Sequence, residues 1–181
     1  SKCFLSKTRR LKMIRYIPVL KSKVTSFRAL RQLKTESKVK VTPLFEIVPK
    51  TEDDLIKNLR ANLHESAEFF VDFLFFDGNP EVSSLLISKI NECVSYKFSP
   101  IPIWGPDRTP EYLKGINTLL EQGIKKIGIR LPSDLFLPEN EEEIVNSVFE
   151  LFASRGLEIY VILDFESLNE GNSAIYVAQS V

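Results

Sequence analysis

Residues 41–77 read VTPLFEIVPKTEDDLIKNLRANLHESAEFFVDFLFFD, and they contain a strand pattern, a helix pattern and a second strand pattern in succession. Val41 to Val48 is an apolar run of strand length, and Phe69 to Asp77 is another. Between them Thr51 is placed to cap a helix, with Asp54 three residues on, and Glu52, Asp53 and Asp54 suit the positive end of the helix dipole. Two strands joined by a crossover helix are expected to be parallel neighbours in one sheet.

The same alternation extends in both directions. Tyr16 to Lys21 precedes it, and Ile101 to Trp104, Lys126 to Leu131 and Glu158 to Phe165 follow. Helix boundaries lie between these runs. A first crossover spans Ser26 to Leu33, while Asn79 with Pro80 and Thr109 with Pro110 each read as an N-cap followed by proline at the first helical position. Gly123 and Gly156 fall where helices should end, Asn140 with Glu141 to Glu143 opens a helix ending near Arg155, and Asn172 onward reads as a sixth helix reaching Val181. Pro18, Pro43 and Pro102 are read as lying close to strand starts, where a missing N–H is tolerated.

The expected fold class is therefore α/β, a (β/α) TIM-barrel-like domain of about six βα units. A barrel is preferred over an open dinucleotide-binding sheet because the turn after the first strand, Lys21 to Ser26, has no GxGxxG, and because polar residues gather at several strand ends. A complete barrel takes about 250 residues, so the domain is expected to be incomplete at the C-terminus. Residues 1–15 read as a basic N-terminal extension and 16–181 as the single partial barrel-like domain.

The formal net charge of the 181 residues is zero, from 24 basic and 24 acidic side chains, but it is segregated along the chain. Residues 1–40 carry thirteen basic side chains against one acidic, Glu36, an excess of +12 that the rest of the chain balances. Five of those charges, Lys2, Lys7, Arg9, Arg10 and Lys12, precede Met13, the only methionine. At 44% hydrophobic residues the chain can bury a core, and no stretch approaches the roughly 20 apolar residues of a membrane span. Cys3-Phe4-Leu5 is too short an apolar run for a signal peptide, so a cytoplasmic location is expected. Cys3 and Cys93 have no CxxC spacing, and His64 is the only histidine, which excludes any site built from two histidines of this chain.

The segments Tyr16-Ile17-Pro18-Val19-Leu20-Lys21, Arg28-Ala29-Leu30 with Leu33, and Thr42-Pro43-Leu44-Phe45-Glu46-Ile47 together resemble the start of the phage T4 beta protein family, found in phages and bacterial genomes. Gly128-Ile129-Arg130-Leu131, and Ile162-Leu163-Asp164 followed by Asn169-Glu170, are similar to that family's later strand regions. Members often carry a Gly-Glu pair just before the first helix, where this chain has Thr25-Ser26. The resemblance implies a barrel-like fold and a phage-related setting, and it brings no established activity.

On a barrel, the strand ends present Lys21, Glu46, Asp77, Trp104, Arg130 and Asp164 to one face. Glu46, Asp164 and Asp77 are the candidate catalytic residues, able to place Mg²⁺ or orient water, although no metal-ligand set is assigned. Lys21 and Arg130 could hold a phosphate or carboxylate, and Trp104 could supply a stacking surface, which makes these three the candidate ligand-binding residues. The competing reading is that Glu46 pairs with Lys21 or Arg130 and the charges plug the barrel mouth. Asp72, inside Val71-Asp72-Phe73, points either inward or to solvent at an edge. Lys21, with Lys23 close by, is a weak candidate for a Schiff-base lysine. His64 suits the C-terminal end of the Thr51 helix, and Cys93 sits at helical spacing from Leu86 and Ile90, as a core residue would.

The basic segment from Lys2 to Lys40 fits a protein partner or acidic ligand. Its aromatics, Phe4, Tyr16 and Phe27, are too few for a single-strand nucleic-acid binder. It could also be simply a solvated arm and helix face, or lie against acidic helices of the same fold or of a neighbouring copy. Two function classes follow. One is a phage- or prophage-associated interaction or defence-related module with a barrel-mouth site of unknown ligand. The other is a metal-assisted hydrolase or phosphotransferase acting on a phosphate ester or nucleotide.

Overall fold

The computed structural model describes residues 16–38, 40–132, 152, 155–164 and 177–180. Six strands, β1 (Val19–Lys21), β2 (Leu44–Glu46), β3 (Glu68–Asp72), β4 (Ser99–Trp104), β5 (Lys126–Pro132) and β6 (Glu158–Asp164), lie side by side in chain order, all parallel. A seventh, β7 (Val177–Ser180), pairs antiparallel with β6. The helices are α1 (Val24–Gln32), α2 (Thr35–Lys38), α3 (Leu55–Asn62), α4 (Val82–Ser95) and α5 (Pro110–Glu121). The architecture is mixed α/β, with the parallel strands curled into a half-barrel.

The pleat explains how both faces of the sheet become apolar. Leu44, Phe70, Ile101, Ile103 and Ile162 point to the concave side and are buried together with Ile17. Their neighbours Phe45, Phe69, Val71, Ile127 and Ile129 point outward onto Phe27, Leu59, Leu86, Ile90, Ile116 and Leu119 of the helices. The curl is visible in contacts that skip strands. Phe70 of β3 and Tyr160 of β6 meet edge to face across the concavity, ring centroids 5.2 Å apart. Gly128 of β5 allows this closeness, because a Cβ there would come within 2.3 Å of Ile103 Cδ1. On the outer layer α4 and α5 approach as tightly, a Cβ on Gly115 falling 3.0 Å from Ser83 Cα.

Thr109 caps α5 as expected, its Oγ1 accepting from the Tyr112 N–H at 3.3 Å with Pro110 behind it, and Gly123 follows the helix with φ of +106°. Cys93 is fully buried, as its spacing predicts. Other boundaries differ. Thr51 does not cap α3, which begins after Asp54; its hydroxyl instead donates to Val48 O at 2.8 Å and bonds Ser22 Oγ, tying the loop after β1 to the loop after β2. Asn79 accepts from the Glu81 N–H in a turn, and α4 starts at Val82. Pro18 and Pro43 directly precede β1 and β2, but β4 begins at Ser99, so Pro102 lies within the strand.

Two corrections are larger. The third strand stops at Asp72, and the remaining Phe-rich stretch forms a 3₁₀ turn, Leu74–Phe76, because the Leu74 N–H bonds back to the Asp72 side chain at 2.9 Å. The sixth helix expected from Asn172 is not what Val177–Ser180 forms. That segment pairs with Ile159–Ile162 of β6, which satisfies backbone groups an exposed strand edge would leave open, whereas so short a helix is marginal by itself. The basic extension 1–15, and all of the helix expected from Asn140 except Phe152 and Arg155, lie outside the described residues. Among the described residues no helix is long and apolar enough to cross a membrane.

Candidate functional site

The alternation that stacks Leu44 and Phe70 inside the curl places Glu46 and Asp72 one layer higher, at the strand ends. By the same parity Arg130 follows Gly128 on β5, and Asp164 follows Ile162 on β6. The guanidinium of Arg130 joins all four strands. Its Nη1 donates to Asp72 Oδ2 at 2.8 Å and to Glu46 Oε1 at 2.9 Å, its Nε donates to Asp164 Oδ2 at 2.7 Å, and its Nη2 lies 2.5 Å from the same oxygen. Side-chain exposure is 0% for Asp72, 11% for Glu46 and Arg130, and 19% for Asp164. Burial works against the charge of Arg130, but the carboxylates, Asp72 foremost, more than offset it, and its pKa is raised.

Asp72 receives a second layer of donors from the segment between β4 and α5. Arg108, itself buried, reaches Asp72 Oδ2 with Nη2 at 3.3 Å and pairs through Nη1 with Asp107. The Tyr112 hydroxyl donates to Asp72 Oδ1 at 3.4 Å while accepting from the Phe73 N–H at 3.1 Å. Burial, with the charge of Asp72 beside it, pushes the phenol well above its ordinary pKa, so Tyr112 remains a donor. A carboxylate without solvent is tolerable only when so many charged and neutral donors converge on it.

The structure gathers Glu46, Arg130 and Asp164 into this cluster and separates the other three candidates from it. Asp77 lies beyond the 3₁₀ turn, where it accepts from the Thr109 hydroxyl at 2.6 Å, the Thr109 N–H at 3.2 Å and the Gly78 N–H at 3.1 Å, holding the cap of α5. Lys21 is exposed, its ammonium 5.7 Å from the centroid of the Phe75 ring. Trp104 has the opposite parity to Ile103, so it faces the helix layer and packs edge-on against Phe152 at 5.4 Å, its buried Nε1 without a hydrogen-bond partner among the described residues. Sequence reasoning left Asp72 open and missed Arg108 and Tyr112. The signal for Asp72 was its spacing of two from Phe70; for Arg108 it was only the polar triplet Asp107-Arg108-Thr109 directly after the fourth strand.

Chemically, each cluster carboxylate faces a guanidinium, and the network ties β2, β3, β5 and β6 together at the mouth of the curl. No group of three His, Cys, Asp or Glu among the described residues is arranged to hold a metal ion.

The first βα unit concentrates basic side chains, with seven from Lys21 to Lys40 against one acidic, Glu36. Lys21, Lys23, Arg28, Arg31, Lys34 and Lys40 are all exposed, and no salt bridge among the described residues includes any of them. Elsewhere Lys57, Lys89, Lys114 and Lys126 pair with Asp54, Asp53 and Glu92, Glu111, and Glu68 and Glu158 respectively, while the exposed Lys50, Lys97 and Lys125 have no salt bridge among the described residues.

In comparisons with known proteins, the model of one family, described as Beta protein, matches residues 16–180. No curated protein and no solved structure matches the chain.

Proposed function

The chain belongs to the beta protein family, and from that premise we propose that it is an interaction module that takes an acidic partner on the basic surface of its first βα unit. The observation that carries this reading is the set of six exposed cations between Lys21 and Lys40, none of them bridged to a carboxylate among the described residues. Unpaired surface charge of one sign attracts a partner of the other and raises its association rate. The curled sheet is read here as part of a (β/α) barrel working in a phage or prophage setting, its mouth closed by the Arg130 network. Hydrolysis at the strand ends would require Glu46 or Asp164 to leave Arg130 before either could bind Mg²⁺ or activate water.

Titration of the full chain with fluorescein-labelled poly-glutamate tests the proposal. Binding should weaken steeply as NaCl is raised and be lost when Arg28, Arg31, Lys34 and Lys40 are replaced together by Gln. Binding that is absent at low salt, or unchanged in the fourfold variant, would refute the basic surface as the binding face. A rise in melting temperature with MgCl₂ that disappears in Glu46→Gln would favour the hydrolase instead.

A further inference from the structure

We infer that the acidic partner docks through a peptide segment whose apolar side chains enter a groove between α1 and α3, while Lys34 and Lys40 hold its carboxylates at the rim. This rests on the interaction reading and gives it a site. The groove lies at the strand-start end of the sheet, opposite the Arg130 cluster, and encloses about 440 Å³, within the range of roughly 300–1,000 Å³ typical of ligand pockets. Its apolar lining is Leu30, Leu33, Val41, Pro43, Leu63 and Ala67. Leu33, Val41, Leu63 and Ala67 pack against the core yet are only half-buried, so each keeps a face toward the opening.

Charge selects the occupant. Lys34 directly follows Leu33 and Lys40 directly precedes Val41, so two exposed cations that bridge to no described carboxylate stand one residue from the lining. The carboxylate that lines the groove, Glu68, is engaged by Lys126, so it does not cancel them. An apolar trough beside cations that bridge to no described carboxylate complements a segment with alternating acidic and apolar residues. It suits a nucleic acid less well, because its described lining holds no Phe, Tyr or Trp and offers a single aromatic ring, His64, for base stacking. The trough also has a firm far wall. Ser66 holds a left-handed conformation at φ of +68° and donates its N–H to Lys97 O at 2.9 Å.

The experiment compares two fluorescein-labelled peptides of equal length and charge on the full chain, one alternating Glu with Leu and one alternating Glu with Ser. Burial of even one leucine should make the Glu-Leu peptide bind about tenfold or more tightly. Leu33→Gln, which places an amide in the trough, and Ala67→Leu, which fills it, should each erase that preference and leave the weaker, salt-sensitive Glu-Ser binding intact. Melting curves identify any variant that has lost its fold, and the other variant then decides. Equal affinity for the two peptides, or a preference that survives groove variants that still fold, overturns the groove while leaving the basic-surface reading standing. Tighter binding of a labelled poly-uridine strand than of the Glu-Leu peptide, weakened by the same two variants, overturns the peptide assignment. Loss of both peptides only in the fourfold basic variant supports the charged surface without the groove.

Discussion

Asp72 carries the greatest electrostatic risk in the molecule, because its carboxylate has no exposure and depends on Arg130, Arg108, Tyr112 and the Leu74 N–H. Removing one member of a buried ion network strands the others. Asp72→Ala should therefore cost about 3–5 kcal/mol, and Arg130→Met, which abandons three carboxylates at once, a similar amount. Both are read from urea unfolding midpoints; losses below about 1 kcal/mol would mean that the cluster is solvated and holds nothing together. Alkaline pH probes the outer layer. Burial pushes the Cys93 thiol from its ordinary 9.0 up to about 12, and Tyr112 moves in the same direction. The protonated forms are favoured in the fold, and for Cys93 that contribution is complete below about pH 9 and is lost as pH climbs through about 12. Stability should fall across that window by up to roughly 1.4 kcal/mol per pH unit for the thiol alone, and the slope should flatten in Cys93→Val. An identical slope in the variant would assign the loss to Tyr112. Much of this cluster was legible, since counting by two from the apolar residues of each strand places Glu46, Arg130 and Asp164 together. Asp72 obeys the same count but sits between apolar neighbours that fit an edge strand equally well, and Arg108 lies in a loop that has no periodicity to read.

At the scale of elements, the strands were legible because apolar runs of about four to nine residues have few other uses in a chain that alternates them with helices. What escaped were the places where a tertiary partner decides the conformation. The stretch from Phe73 to Asp77 has strand composition, yet the Asp72 side chain captures the Leu74 N–H and turns it into 3₁₀, and β7 exists through its pairing with β6. The turn moves Asp77 from a strand end to the start of α5, and its consequence can be measured. Thr109→Ala should cost about 0.5–2 kcal/mol through the lost cap. Asp77→Ala should cost a comparable amount, because it removes the acceptor for the Thr109 hydroxyl and N–H. A double-mutant cycle between them should show coupling of about 0.5 kcal/mol or more. Additive effects would mean that the two side chains act separately. Gly128→Ala tests the closure of the curl in the same way. Its Cβ meets Ile103 and Phe70 on the concave face, so overpacking should cost about 1–3 kcal/mol, and a neutral result would show that β5 can move away from β4 freely.

For the whole molecule, the zero net charge conceals a division that the described residues do not neutralise. Had the basic unit folded against the acidic remainder, Arg28, Arg31 or Lys34 would face carboxylates across an interface; instead they are exposed and unbridged to any described residue. Six like charges on one βα unit repel one another, and the i,i+3 pair Arg28 and Arg31 shares one helix surface, where like-charge neighbours cost a few tenths of a kcal/mol. Salt should relieve that repulsion. Between about 10 mM and about 150 mM NaCl the screening length falls from near 30 Å to near 8 Å, shorter than the span of α1, so the melting temperature should rise over this interval. In the variant with Arg28, Arg31, Lys34 and Lys40 replaced by Gln, the low-salt melting temperature should start higher and rise less. A melting temperature that instead falls with salt would show that the basic face is held by attraction to the acidic helices. It would then be part of the fold's internal electrostatics and not a surface kept open for a partner.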